Sequence, residues 1–329
     1  MQALVCHRLA DDLAGVALTD IAPPRPGPGE VAIEVRAAAL NFPDLLMTRG
    51  AYQHRPELPF VVGMEGAGTI CELGEEVAES QGIRLGDEVC FGRKDGAVAQ
   101  RVVAAADSLR RKPAGFDWAQ AAAYQVGALT AWVALVVRGQ LRAGEVLLVH
   151  GASGGVGAAA VQLGRHLGAH VIATGTSADK LAPLAALGAE HLLVLGDGFR
   201  ERVKGLTGGR GADVVFDPVG GDVFDESVRC IAPEGRLLVV GFASGRIPTL
   251  AANLALIKGF SLVGVRAGEY LRGRPDRGKA LLDEVARLPE QGDFHPLIGA
   301  RYPLSAAMQA LQALARRQVP GKIVIEMPG

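Results

Sequence analysis

Apolar positions along this chain fall into short runs, and the rhythm of those runs changes near residue 118 and again after residue 266. Up to about residue 120 the pattern is that of strands. Residues 1–6 are apolar enough for one, 31–37 alternate as a half-buried strand does, and 61–62, 66–70 and 88–91 are further short strands between Gly and Asp turns. Pro23, Pro24, Pro26 and Pro28 mark a loop before the second of them. Helical composition takes over at 119–123 and 129–137. Strands and helices then alternate: strands at 146–149, 170–174, 191–195, 213–217, 236–240 and 260–265, helices at 158–163, 181–187, 199–206, 222–231 and 253–258. Repeated βα units predict a doubly wound parallel sheet, so the fold class is α/β with a β-rich partner region. The tail reads as helices at 278–287 and 304–317 and a strand at 322–326.

One stretch, EVLLVHGASGGVGAAAVQLGRHLGAHVIATGTSADKL at 145–181, carries chemistry as well as structure. A buried strand runs into a glycine-rich turn and then a helix, the sequence of a phosphate cradle. Glycines let the backbone approach a pyrophosphate, and the amides at the helix start supply the positive end. The candidate contacts are Gly151, Ser153, Gly154, Gly155, Val156 and Gly157. The second strand ends without the Asp or Glu that would hold a ribose 2′-hydroxyl. Thr176, Ser177 and Lys180 stand there instead, offering hydroxyls and a cation to a 2′-phosphate, which favours NADPH over NADH. Ser177 also suits a helix N-cap and Lys180 a solvated helix face.

Charge and cysteine usage narrow the classes. Lys plus Arg total 34 and Asp plus Glu 35, interspersed, so no nucleic-acid footprint is visible. The hydrophobic fraction is 49%, yet no apolar run has the length of a membrane span, and the start of the chain lacks a leader pattern. Cys6, Cys71, Cys90 and Cys230 are scattered without CxxC spacing, as expected of a protein of the reducing cytoplasm.

The motifs taken in order carry a family resemblance. They are Asn41-Phe42-Pro43-Asp44, the stretch LPFVVGMEGAG at 58–68, Gly86-Asp87-Glu88-Val89, Leu129-Thr130-Ala131, the turn at 151–157, FDPVGG at 216–221, GFASG at 241–245 and Gly321-Lys322-Ile323-Val324. Over essentially its full length the chain resembles the medium-chain dehydrogenases/reductases, and most of all their zinc-independent quinone oxidoreductase branch, which includes zeta-crystallin. The resemblance implies a GroES-like catalytic domain from residues 1–124 and 267–329, with a Rossmann dinucleotide-binding domain at 125–266. It places Asn41 and Tyr52 on the substrate side of the nicotinamide, and Thr130, Phe242, Ala243, Asn253 and Val265 around the cofactor. Leu195 and Gly127 depart from the Tyr and Asn common in relatives.

Zinc-dependent relatives have a Cys where Asn41 stands and a His where Met64 stands, so the resemblance implies no metal site. Glu65 survives beside that position as a carboxylate held in a local network, and His54 reads as a surface histidine. Without a metal, hydride transfer suits an electron-poor acceptor, a quinone or an activated α,β-unsaturated carbonyl. Asn41 can donate an amide hydrogen bond, and Tyr52 can donate its hydroxyl or stack on a ring. An enoyl-thioester reductase stays open, with Arg266, Arg272 and Arg274 available to a CoA phosphate. So does a crystallin-like NADPH-binding protein of little turnover. The apolar strand at 260–265 is expected to join two copies into a homodimer.

Overall fold

The computed structural model describes residues 1–77, 82–196, 198–292 and 294–328. The chain forms two compact units, one of Met1–Val126 with His295–Gly329 and one of Gly127–Phe294.

The first unit opens with β1 (Gln2–Cys6), β2 (Val16–Asp20), β3 (Glu30–Leu40), α1 (Phe42–Thr48), β4 (Phe60–Val61) and β5 (Glu65–Leu73). It continues with β6 (Glu88–Gly92), β7 (Arg101–Ala105), β8 (Arg110–Arg111) and α2 (Trp118–Ala123). Strand β3 is its axis, pairing antiparallel with both β5 and β7. The alternating pattern predicts a half-buried strand there, but β3 is buried along most of both faces. Helix α2 lies over β3 and β5 with Ala119, Ala121, Ala122 and Ala123 buried, so its small side chains seal the face that would otherwise meet water. Asp117 and Gln120 start that helix as a reciprocal cap: each side chain accepts the other's backbone N–H, at 2.8 and 3.0 Å.

The second unit begins in α3 (Gln125–Trp132), which widens over Val133–Arg138 into a turn where the Gly139 N–H donates to the Ala134 carbonyl five residues back, at 2.7 Å. Next come β9 (Val146–Val149), α4 (Gly155–His166), β10 (His170–Gly175), α5 (Ala178–Leu181), α6 (Pro183–Ala186), β11 (His191–Val194) and α7 (Phe199–Leu206). They are followed by β12 (Ala212–Asp217), α8 (Gly221–Cys230), β13 (Ile231–Val239), α9 (Ala252–Lys258) and β14 (Ser261–Gly264). The expected single helix at 181–187 is two short ones, because Pro183 has no N–H to continue the ladder. The six strands are all parallel, in the order β11-β10-β9-β12-β13-β14. Direction of succession reverses between β9 and β12, the doubly wound arrangement in which ligands bind at the carboxyl ends of the strands. Two helices, α10 (Ala267–Arg272) and α11 (Pro275–Glu290), close this unit. The sequence-based division falls at residue 266; the compact unit runs on to Phe294, because α10 packs against both α11 and the 133–138 turn.

The chain then returns to the first unit with β15 (Ile298–Pro303), α12 (Ala307–Ala315) and β16 (Lys322–Glu326). Strand β16 pairs antiparallel with β3, Ile323 opposite Leu40, completing a seven-stranded sheet beside the three-stranded β2-β1-β4 sheet. Among the described residues no helix is long and apolar enough to cross a membrane.

Candidate active site

The loops after the parallel strands of the second unit bring most of the sequence-predicted cofactor residues to one edge of its sheet. After β9 come His150 and Gly151, the latter with φ of +57°, a conformation glycine adopts without strain. Gly154 then N-caps α4 with no side-chain hydrogen bond, so the first-turn amides of Gly155, Val156 and Gly157 have no side-chain cap over them. Gly157 has a packing reason of its own: a Cβ there would sit 2.3 Å from the Gly151 carbonyl oxygen and 2.7 Å from the Ala152 Cα. The turn and the helix touch backbone to backbone, leaving the outer side, where Gly154 is exposed and Ser153 half-buried, to a ligand. This cradle fits a pyrophosphate.

On the neighbouring strand, Thr176 is exposed and Ser177 and Lys180 are half-buried. Ser177 holds the N-cap position of α5, but its side chain makes no capping bond. Across the sheet, Asp217 ends β12 and its Oδ1 accepts the Val219 and Gly220 N–H groups at 2.8 and 2.9 Å. Burial raises its carboxyl above the ordinary range despite those bonds. The segment after β13 is tied back to this turn, the Ala243 and Ser244 N–H groups donating to the Pro218 and Val219 carbonyls at 3.0 and 2.8 Å. Phe242 and Ala243 are thereby held at the same edge, half-buried. Val265 follows β14, its N–H donating to the Val239 carbonyl at 2.9 Å, while Asn253 lies exposed on α9 and Thr130 half-buried in α3.

His150 is packing, as its position at the end of β9 leads one to expect. It is fully buried, with Nδ1 2.7 Å from Thr174 Oγ1 and Nε2 2.7 Å from Ser227 Oγ, fastening β9 to β10 and α8. Burial holds it neutral, its pKa lowered to about 3.

In the first unit three chain segments converge on one buried polar cluster. Asn41 follows β3, Glu65 opens β5 opposite Ala39, and Lys322 opens β16. The Lys322 ammonium donates to Asn41 Oδ1 at 2.6 Å and to Glu65 Oε1 at 2.7 Å. Asn41 Nδ2 donates to Glu65 Oε1 at 3.0 Å and, over a long 3.4 Å, to the Ala39 carbonyl. Glu65 Oε2 accepts the Val126 N–H at 2.9 Å, and Asp44 Oδ2 accepts the Asn41 N–H at 2.7 Å. Asn41, Asp44, Glu65 and Lys322 are each 5% exposed or less. Burial dominates at Asp44 and lifts its carboxyl to about 7, partly offset by the Asn41 N–H and the Lys322 charge.

That cluster answers the metal question on the chemistry of its donors. An amide and a thioether at positions 41 and 64 are poor zinc ligands, and the carboxylate beside them is already neutralised by an ammonium. The residues present do not fit a zinc ion. Tyr52 lies half-buried against the apolar core of the same unit. His54 is held by a carboxylate, Nε2 standing 2.7 Å from Asp95 Oδ2. His54 and Asp95 border a separate cavity of about 620 Å³ that also includes Arg93 and Arg101.

Lys322 is the site residue that reading the sequence passed over. It stands 281 positions from Asn41, and only the pairing of β16 with β3 brings the two together. A lysine just after a glycine and ahead of an apolar strand was the available signal. Gly321 has φ of +70°, and a Cβ there would lie 2.1 Å from the Leu297 carbonyl oxygen.

Comparison with known proteins agrees with this architecture. Residues 27–136 match the alcohol dehydrogenase GroES-like domain and residues 155–287 the zinc-binding dehydrogenase domain. The chain is 37% identical to a quinone oxidoreductase of Pseudomonas aeruginosa, over 93% of this chain and 94% of that one. A quinone oxidoreductase from Thermus thermophilus, solved alone and with NADPH, superposes with a TM-score of 0.84 at 33% identity, covering 99% of this chain and 100% of that one. The chain is also 35% identical to a segment of the mycoketide-CoA synthase of Mycobacterium tuberculosis, over 92% of this chain but only 7% of that protein. The chain belongs to the medium-chain dehydrogenases/reductases, in their quinone oxidoreductase-like branch.

Proposed function

We propose that the protein is an NADPH-dependent reductase that delivers hydride, without a metal, to a quinone or an activated α,β-unsaturated carbonyl. The observation that carries this reading is the Asn41–Glu65–Lys322 cluster, where an amide and an ammonium take up the polar chemistry at the position zinc-dependent relatives give to metal ligands. NADPH, when bound, supplies the hydride. The glycine turn after β9 binds its pyrophosphate, Ser177 and Lys180 bind the 2′-phosphate, and Thr176 completes that corner. Thr130, Phe242, Ala243, Asn253 and Val265 line the nicotinamide half. Asn41 directs its amide hydrogen to the oxygen on which negative charge develops, exchanging the long contact to Ala39 for a shorter one. Tyr52 flanks the acceptor ring. A delocalised hydroquinone or enolate anion needs little further help.

The free state of Cys6, Cys71, Cys90 and Cys230 supports a reducing, cytoplasmic setting. The uncovered edge of β14 supports a homodimer. Leu262 on that strand is 46% exposed, and Leu256 and Ile257 on the adjoining α9 are 82% and 74% exposed.

An enoyl-thioester reductase is the second reading, favoured by the similarity to a segment of a polyketide-type synthase. The arginines that would serve a CoA phosphate weigh against it. Arg272 and Arg266 both turn to Glu269, at 2.9 and 3.7 Å, and Arg274 lies over the Tyr270 ring. The test is NADPH oxidation against a panel of quinones, enones and an enoyl-CoA. Turnover confined to the enoyl-CoA selects the second reading, and binding without turnover selects a crystallin-like role.

A further inference from the structure

We infer that Lys322 is a positioning residue of the reaction: its ammonium fixes which end of the Asn41 amide faces the acceptor. This rests on the functional reading above, in which Asn41 is the oxyanion donor.

The argument begins with what each group can do. An ammonium only donates and an ionised carboxylate only accepts, whereas a carboxamide presents a donor at one end and an acceptor at the other. With Lys322 Nζ 2.6 Å from one end of the amide and Glu65 Oε1 3.0 Å from the other, one orientation satisfies both neighbours. Oδ1 is held at the lysine, and Nδ2 carries the two hydrogens. One of those is fixed by Glu65, and the other has the 3.4 Å contact to Ala39, weak enough to be exchanged for a better acceptor. The ammonium also polarises the amide, making that second hydrogen a stronger donor toward an oxyanion. Without Lys322 the amide oxygen loses its anchor and the single 3.0 Å bond to Glu65 is left to hold the group, so the second hydrogen is no longer fixed in direction toward the acceptor.

Stability alone does not account for the arrangement. Lys322 and Glu65 side chains are 5% and 1% exposed, and a buried pair of this kind is on average no more stabilising than well-packed apolar residues. Strand order supplies the precision. β16 is pinned to β3 with Ile323 opposite Leu40, and the Lys322 N–H is bonded to the Leu297 carbonyl at 2.7 Å, so the lysine stem leaves a fixed backbone.

The test is a mutant cycle on the full chain, with kcat, acceptor KM and NADPH affinity measured separately. Lys322→Met should lower kcat by about 10- to 100-fold, the scale of a misplaced catalytic group, with NADPH affinity unchanged. Lys322→Arg, which keeps the charge, should recover most of the loss. In an Asn41→Ala background Lys322→Met should have no further effect, because its action passes through that amide. Should Lys322→Met fail to fold with Glu65 unpaired, Glu65→Gln/Lys322→Met removes both charges, and it should fold yet stay slow. Wild-type turnover in Lys322→Met, multiplied losses in the Asn41→Ala background, or full turnover in the charge-free pair would each overturn the proposal.

A readout independent of turnover separates this claim from the functional reading. The Asn41 side-chain amide signal in a ¹⁵N spectrum, assigned by its disappearance in Asn41→Ala, should be protected from exchange in the wild type and lose that protection in Lys322→Met. If it does so in a protein that reduces no acceptor, the functional reading fails and the positioning stands. If protection is unchanged, the positioning fails.

Discussion

At the scale of single residues, Asn41 is where the proposed chemistry is concentrated. Asn41→Ala should reduce kcat by about 100-fold, the typical loss of one oxyanion donor, while NADPH affinity stays near wild type. Steady-state kinetics beside a fluorescence titration would check this, and an unchanged kcat would remove Asn41 from the reaction. Its neighbour Asp44 makes a separate, thermodynamic prediction. Because the folded pKa, about 7, lies above the ordinary aspartate value of 3.8, the folded state holds a proton that the unfolded chain releases first. The contribution is most favourable in acid and is lost as pH rises toward 7, at about 1.4 kcal/mol per pH unit. Asp44→Asn still accepts the Asn41 N–H and never ionises. Its melting temperature should match wild type near pH 4 and exceed it at pH 8; parallel pH curves would contradict the assignment. Asn41 and Glu65 could be picked from the sequence because they sit in recognisable local motifs. Lys322 sits in a motif too, but its role does not follow from it, since that depends on a strand pairing across nearly the whole chain.

At the scale of elements, apolar periodicity was a good guide to strands of the parallel sheet buried on both faces, while it read β3 as half-buried. The strands β9, β10 and β12 and the helix α7 lie where short runs of Val, Ile and Leu or the helical pattern put them. Two strands escaped it: β2 and β15 mix polar and apolar residues with intermediate burial, so their sequences carry little contrast, whereas β14 was legible from its apolar run although it is exposed. Helix α1 was missed as well, being seven residues long and starting at a proline-containing turn. Cofactor preference belongs to this scale, because the proposed 2′-phosphate corner is the turn from β10 into α5. Changing Ser177 and Lys180 to Ala together should weaken NADPH binding by about tenfold or more while sparing NADH, on the usual strength of charge-assisted hydrogen bonds. Equal losses for both cofactors, measured by titration, would refute that corner as the 2′-phosphate site.

At the scale of the whole molecule, the order of elements was readable: a β-rich region, a doubly wound sheet, and a tail that returns to the first unit. The return point was less so, because α11 is an amphipathic helix whose packing partners periodicity does not name. The proposed assembly is tested here too. Leu256→Glu with Ile257→Glu should convert the dimer to a monomer in light scattering without loss of fold; a wild type already monomeric at micromolar concentration would sink the proposed interface.

The most direct test of the central claim is one set of assays on purified wild-type protein, NADPH consumption with a small quinone and NADPH formation with a simple alcohol and NADP⁺, alongside zinc content. Rapid quinone-dependent oxidation, no alcohol oxidation and zinc far below one per chain is the predicted result. Stoichiometric zinc with alcohol oxidation and no response to quinones or enones would contradict it.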